Sequence, residues 1–238
     1  LIAAKNQASD DCKLYCGFNR PFSQAVKKLK DLRSEAQGPV TLSMNVSGHS
    51  LSEEHWYRDS SEGSRICGNA SHWIDLAIHV LSWDSQPDEL QIAITYSHPT
   101  LSDENISLTI SSARGDLVNL IFTCRNEPYE GVYETLFFQD DVINCTIEDF
   151  RSMLIWAGER TEKLRFSPKD AGHLNALLQP FSPKESRSWH ELLASNVLML
   201  EIADMTEKRE AFRSVSIANI IDALDYQPKC AITEDSES

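Results

Sequence analysis

The sequence predicts an α+β domain, an open and mostly antiparallel β-sheet covered on one face by helices. Two observations carry that expectation. Between residues 90 and 166, short segments alternate apolar with polar residues and are punctuated by turn signals, whereas helical periodicity is confined to segments on either side. A meander with one polar face needs a single apolar cover, and the flanking helices supply it.

In chain order, residues 1–9 read as the end of a helix broken by Asp10-Asp11, and Lys13 to Phe18 as a short strand. Pro21 opens a helix to about Arg33, with Phe22, Ala25, Val26, Leu29 and Leu32 at helical spacing. Gly38-Pro39 ends that unit, and Val40 to Val46 alternates as a strand. An irregular stretch from Gly48 to Gly68 leads into a helix from about Ser71 to Trp83 that buries Ile74, Ala77, Ile78 and Leu81. Strands follow at Leu90 to Ser97, around Ile106, Leu108 and Ile110, and at Val118 to Cys124, with an Arg114-Gly115-Asp116 turn between the last two. More strands are expected at about 132–138, 142–148, 151–157 and 162–166, then helices at about 170–179 and 189–208. The apolar run Val215 to Leu224 reads as a short extra helix before a frayed acidic tail.

Composition excludes several classes of function. A net charge of −14 argues against nucleic acid as a partner, because phosphate binding needs a Lys/Arg surface. No run approaches the ~18 apolar residues that cross a membrane, so no membrane partner is expected. Six cysteines (Cys12, Cys16, Cys67, Cys124, Cys145, Cys230) form no tight C-x-x-C pair and read as reduced thiols of a cytoplasmic protein. The chain begins Leu1-Ile2-Ala3-Ala4-Lys5 without Met, which reads as part of a longer or processed product.

The chemistry concentrates in residues 53–76. His72, Asp75 and His79 fall at i, i+3 and i+7, one stripe of a helix whose other stripe is apolar. Three readings compete: an exposed polar face, a metal site, and a general acid/base at a cleft with His72 as its proton carrier. The helix start favours the third, since free backbone N–H groups there stabilise developing negative charge. The metal reading lacks a His-x3-His pair and a further ligand, and no metal is assigned.

Several segments, in the right order, resemble the Gfo/Idh/MocA family of NAD(P)-dependent oxidoreductases. Cys16-Gly17-Phe18-Asn19-Arg20-Pro21-Phe22-Ser23 is similar to the strand-to-linker segment that leaves that family's Rossmann domain. Glu54-His55-Trp56-x-x-Asp59 and Arg65-Ile66-Cys67-Gly68-Asn69-x-x-His72-Trp73-Ile74-Asp75-Leu76 are similar to two of its substrate-side motifs, and Lys169-Asp170-Ala171-Gly172-His173 follows in order. The resemblance implies the C-terminal domain of glucose–fructose oxidoreductase type: residues 1–18 a remnant of the Rossmann domain, 19–209 a substrate-binding and oligomerisation domain, 210–238 an extension and tail. It implies His72 as the acid/base acting on a sugar or cyclitol hydroxyl, with Arg20, His55, Trp56, Arg65 and Asn69 binding substrate and Asp75 orienting His72. His173 reads as a surface residue.

The resemblance also implies NAD or NADP in a full-length parent, a missing Rossmann domain as partner, and a homodimer or tetramer through the outer sheet face carrying Ser107, Thr109, Asn119 and Thr123. No cofactor is expected for this chain alone, since it has no G-x-G-x-x-G after a strand and no Glu-Lys-Pro. Two positions depart from the family pattern. Gly68 stands where many members carry an acidic residue, and Asn69 where a subgroup carries Glu. An amide there can hydrogen-bond a hydroxyl but cannot take its proton. The rival reading is therefore a non-catalytic sugar-binding or scaffolding module.

Overall fold

The structure, a computed structural model, describes residues 15–33, 38–59, 64–182 and 187–225. Its centre is a nine-stranded sheet: β1 (Thr41–Ser47), β2 (Glu89–Tyr96), β3 (Ile106–Ser112), β4 (Leu117–Thr123), β5 (Tyr133–Gln139), β6 (Ile143–Glu148), β7 (Ser152–Ala157), β8 (Arg160–Arg165) and β9 (Phe212–Ser216). The spatial order is β8-β7-β6-β5-β1-β4-β3-β2-β9. Among the described residues only β1 and β4 run parallel, with Met44 opposite Leu120. Their connection is long because the site segment and a helix lie between them in sequence.

The period of two holds through the central strands. In β4, Val118, Leu120 and Phe122 are buried while Leu117, Asn119, Ile121 and Thr123 face outward, and β5 alternates in the same way. The inner face packs against α1 (Gln24–Leu32), α2 (Ser71–Leu81), α4 (Trp189–Lys208) and α5 (Ile217–Asp225), and a one-and-a-half-turn helix α3 (His173–Leu177) closes the rim. This is the sheet with a one-sided helical cover that the alternation predicts.

Local chemistry sets the helix limits. Pro21 lies in a 3₁₀ turn (Arg20–Phe22), and α1 starts only after Ser23, whose hydroxyl accepts from the Val26 N–H at 3.2 Å. Ser188 caps α4 by accepting from the Glu191 N–H at 3.1 Å, and Arg209 ends it in the left-handed region at φ 52°.

Three expectations change. Tyr15 to Phe18 are not strand; residues 1–14 lie outside the described residues, so the remainder of the expected Rossmann remnant does too. The extension expected from 210 onward contributes Phe212–Ser216 to the sheet as its edge strand, paired with β2 through Leu90 and Val215. The helix expected over 170–179 is only five residues long, because Gly172 takes a left-handed φ of 88° just before it and Pro180 follows.

Candidate functional site

The site is built where α2 begins. A π-turn (Ile66–Ala70) runs directly into α2. Such wide turns place an extra residue in the helix wall and are frequent at functional sites. α2 is buried nearly all round, from Trp73 through Leu81, because the sheet lies below it, α4 beside it and residues 15–20 across it. Its two-stripe sequence pattern therefore does not yield an exposed polar face. Asp75 and His79 are enclosed between α2 and α4.

His72 stands in the first turn of α2 and is partly buried. Phe18 meets its imidazole edge-on at 5.7 Å and Trp73 flanks it at 6.3 Å. Burial, with the nearby Arg20 cation and His173, lowers its pKa from 6.5 to about 4, so the ring is neutral at physiological pH. Its Nδ1 is buried and has no hydrogen-bond partner, and the same holds for Asn69 Oδ1 three residues earlier. Positions three apart share a helix face. Two buried orphan polar atoms thus lie on one turn.

Arg20 is nearly buried and gives its guanidinium to Glu134: Nε donates to Oε2 at 2.6 Å and Nη2 to Oε1 at 3.0 Å. The same guanidinium lies 4.0 Å over the Trp73 ring, whose Nε1 also donates to Glu134 Oε2 at 2.6 Å. Arg65 is buried, bonded to the His49 carbonyl and Glu104, and over the Phe122 ring. Its role in the structure is to tie the start of the π-turn to the sheet.

Asp75 does not orient His72. It receives two 2.7 Å bonds from Arg187 Nη1. Arg187 reaches on to Glu191, whose carboxylate sits 2.6 Å from His79 Nδ1. With Asp75 held by Arg187 and His79 by Glu191, the His72/Asp75/His79 stripe does not converge. Among the described residues no three His, Cys, Asp or Glu side chains could hold a metal ion.

His55 caps the 3₁₀ turn Trp56–Arg58, its Nδ1 accepting from the Tyr57 N–H at 3.2 Å, and its ring stacks on Trp56 at 5.9 Å. Trp56 is half exposed. Tyr57 is a residue the motif reading passed over. Its hydroxyl donates to the Gly68 carbonyl at 2.7 Å, and its ring fills the space that a Cβ at 68 would enter. His173 is the surface residue that the sequence predicts. It is exposed, yet near enough to His72 to act on its charge. Gly172 brings it there: any side chain at 172 would strike the backbone of Asn19 and Ser23, and Asn19 Nδ2 donates to the Ala171 carbonyl at 2.6 Å.

No family model matches the sequence, and no curated protein is similar to it. Solved structures are. The chain aligns with a Gfo/Idh/MocA family oxidoreductase from Vibrio cholerae at TM-score 0.56 and 15% identity, covering 82% of this chain and 62% of that one. The fold is that of the Gfo/Idh/MocA-type oxidoreductases. Levoglucosan dehydrogenase in complex with NADH and L-sorbose aligns at TM-score 0.62 and 12% identity, covering 85% and 66% respectively. A dehydrogenase from Chromobacterium violaceum aligns at 0.57 and 16%, covering 81% and 59%. The chain thus spans roughly three fifths to two thirds of these proteins, the share expected of a C-terminal domain without the nucleotide-binding part.

The described residues do not fit a dinucleotide. A nicotinamide cofactor needs a strand, a glycine-rich turn and a helix whose N–H groups cradle pyrophosphate. The one parallel pair, β1 and β4, has no such unit between its strands. No helix among the described residues is long and apolar enough to cross a membrane.

Proposed function

We propose that this chain is the substrate-binding domain of an NAD(P)-dependent sugar or cyclitol oxidoreductase, with His72 as the group that accepts or returns the substrate's hydroxyl proton. The observation that carries the reading is the orphan pair at the start of α2. A hydroxyl is both donor and acceptor, so a polyol can serve a neutral imidazole and an amide oxygen at once. Trp56, half exposed beside His55, offers an aromatic face to the C–H side of a sugar ring. Cofactor would come with a nucleotide-binding domain, and a homodimer would form on the outer sheet face. The four described cysteines are free thiols, which suits a cytoplasmic location.

Titrating histidine-labelled protein with a panel of monosaccharides and cyclitols tests this. The His72 resonance should shift saturably with at least one of them, and Asn69→Ala should weaken that binding. No saturable shift with any polyol defeats the proposal. In an assembly that includes the nucleotide-binding domain, His72→Ala should lower turnover at least ~100-fold.

A second reading, a sugar-binding module without catalysis, is favoured by the Tyr57 ring over Gly68, which leaves no room for a carboxylate. Saturable binding in that assembly with no oxidation of any bound polyol selects it.

A further inference from the structure

We propose that Glu134, on β5, is the positioning residue of the His72 cleft: one buried carboxylate grips both Arg20 and the Trp73 indole, and so fixes the cation beside His72. The inference rests on the reading of His72 as the working group of a substrate cleft.

The geometry is specific. Glu134 is 1% exposed and Arg20 7%. Oε2 accepts from both Arg20 Nε and Trp73 Nε1, each at 2.6 Å, while Oε1 takes Arg20 Nη2. The guanidinium is thereby held flat against the indole. Glu134 is itself fixed, with its N–H directed to Asp149 Oδ1 at 3.4 Å and its carbonyl accepting from the Asp149 N–H at 2.7 Å. Lys169 pairs with that same Asp149.

Two segments beside His72 therefore meet at one carboxylate, the chain around Phe18 to Arg20 and the first turn of α2, and Asn19 ties the segment carrying His173 to the first of them. The groups whose charge or titration acts on His72 are the Arg20 cation and the His173 imidazole. Without Glu134, Arg20 would be a buried cation with no counter-ion, which is strongly unfavourable, and its side chain would turn outward to solvent. His72 would then lose the cation that, together with burial, keeps it unprotonated.

The test is the titration of His72 in this chain, followed by histidine NMR and assigned by loss of the signal in His72→Gln. Glu134→Gln should raise the His72 midpoint by about one unit, in the range for a neighbouring charge. Arg20→Gln should raise it equally, and the double variant no further. Thermal destabilisation with an unchanged midpoint would mark Glu134 as ordinary packing and overturn the proposal, as would a rise in Arg20→Gln alone. If Glu134→Gln does not fold, Glu134→Asp decides: it keeps the charge but is too short to hold both partners, so the midpoint should still rise, and no change overturns the proposal. The readout needs no substrate. A raised midpoint without polyol binding in any form leaves Glu134 in place and removes the functional reading, whereas polyol binding with an unmoved midpoint does the reverse.

Discussion

His72 has a consequence for stability as well as for chemistry. Its pKa is about 4 in the folded chain and 6.5 when unfolded, so below 6.5 the unfolded state binds the proton first. Stability contributed by the neutral ring is complete above pH 6.5 and is lost as the pH falls toward 4. At about 1.4 kcal/mol per unit the total is roughly 3 kcal/mol. Urea unfolding of the wild type at pH 7 and pH 4.5, beside His72→Gln, should show a smaller acid loss in the variant, and equal losses would contradict the burial of the imidazole. Gly68 offers a second check at this scale. Gly68→Asp restores a carboxylate one turn before His72, but its side chain must displace the Tyr57 ring. Overpacking of this kind costs about 1–3 kcal/mol, and Tyr57→Ala in the same chain should recover part of it in thermal melts. The two softened positions, Gly68 and Asn69, are visible in the sequence. Tyr57 filling the first of them is not, because the contact joins a 3₁₀ turn to a π-turn across an irregular stretch.

Among the elements, α2 shows where periodicity reads correctly and where it stops. Ile74, Ala77, Ile78 and Leu81 are buried as the 3.6-residue pattern requires. The same pattern assigns Asp75 and His79 to an outer stripe, and that stripe is covered by α4. A helix enclosed on several sides carries charge inside only if the charge is paired, and the partners Arg187 and Glu191 come from 112 residues away. No local spacing could show them. Glu134 is different, since its signal is local. In Tyr133 to Phe138 the inward phase holds Glu134, Leu136 and Phe138, and a glutamate in the buried phase of a strand announces a buried partner. Arg187→Met would leave the Asp75 carboxylate unpaired in the interior. It should cost about 3–5 kcal/mol in denaturant unfolding. Adding Asp75→Asn should return much of that loss; purely additive effects would show that the two side chains are not coupled.

For the whole molecule, the outer face of the sheet is where the proposed pairing of two copies is tested. The sequence shows it as polar, through Ser107, Thr109, Asn119 and Thr123, and the strand register shows what lies between them. Ile121 stands opposite Ser107 and Asn45, and Phe137 opposite Ser43 and Thr146. Ile121 is 43% exposed and Phe137 37%, with Leu117, Tyr133 and Trp156 on the same face. Large apolar side chains among short polar ones on the outer sheet face make a surface a second copy can cover with its own. This mixture escapes a reading of single strands, because it depends on which strands are neighbours. β1 lies between its parallel partner β4 and its antiparallel partner β5, which sets the Ile121 and Phe137 rows on either side of it although both strands come far later in the chain. The wild type should sediment as a dimer at micromolar concentration. Ile121→Glu with Phe137→Glu places buried, unpaired charge at any such interface, and should sediment as a folded monomer with its His72 titration unchanged. A wild type that is monomeric at every accessible concentration would remove the sheet face as an interface between copies.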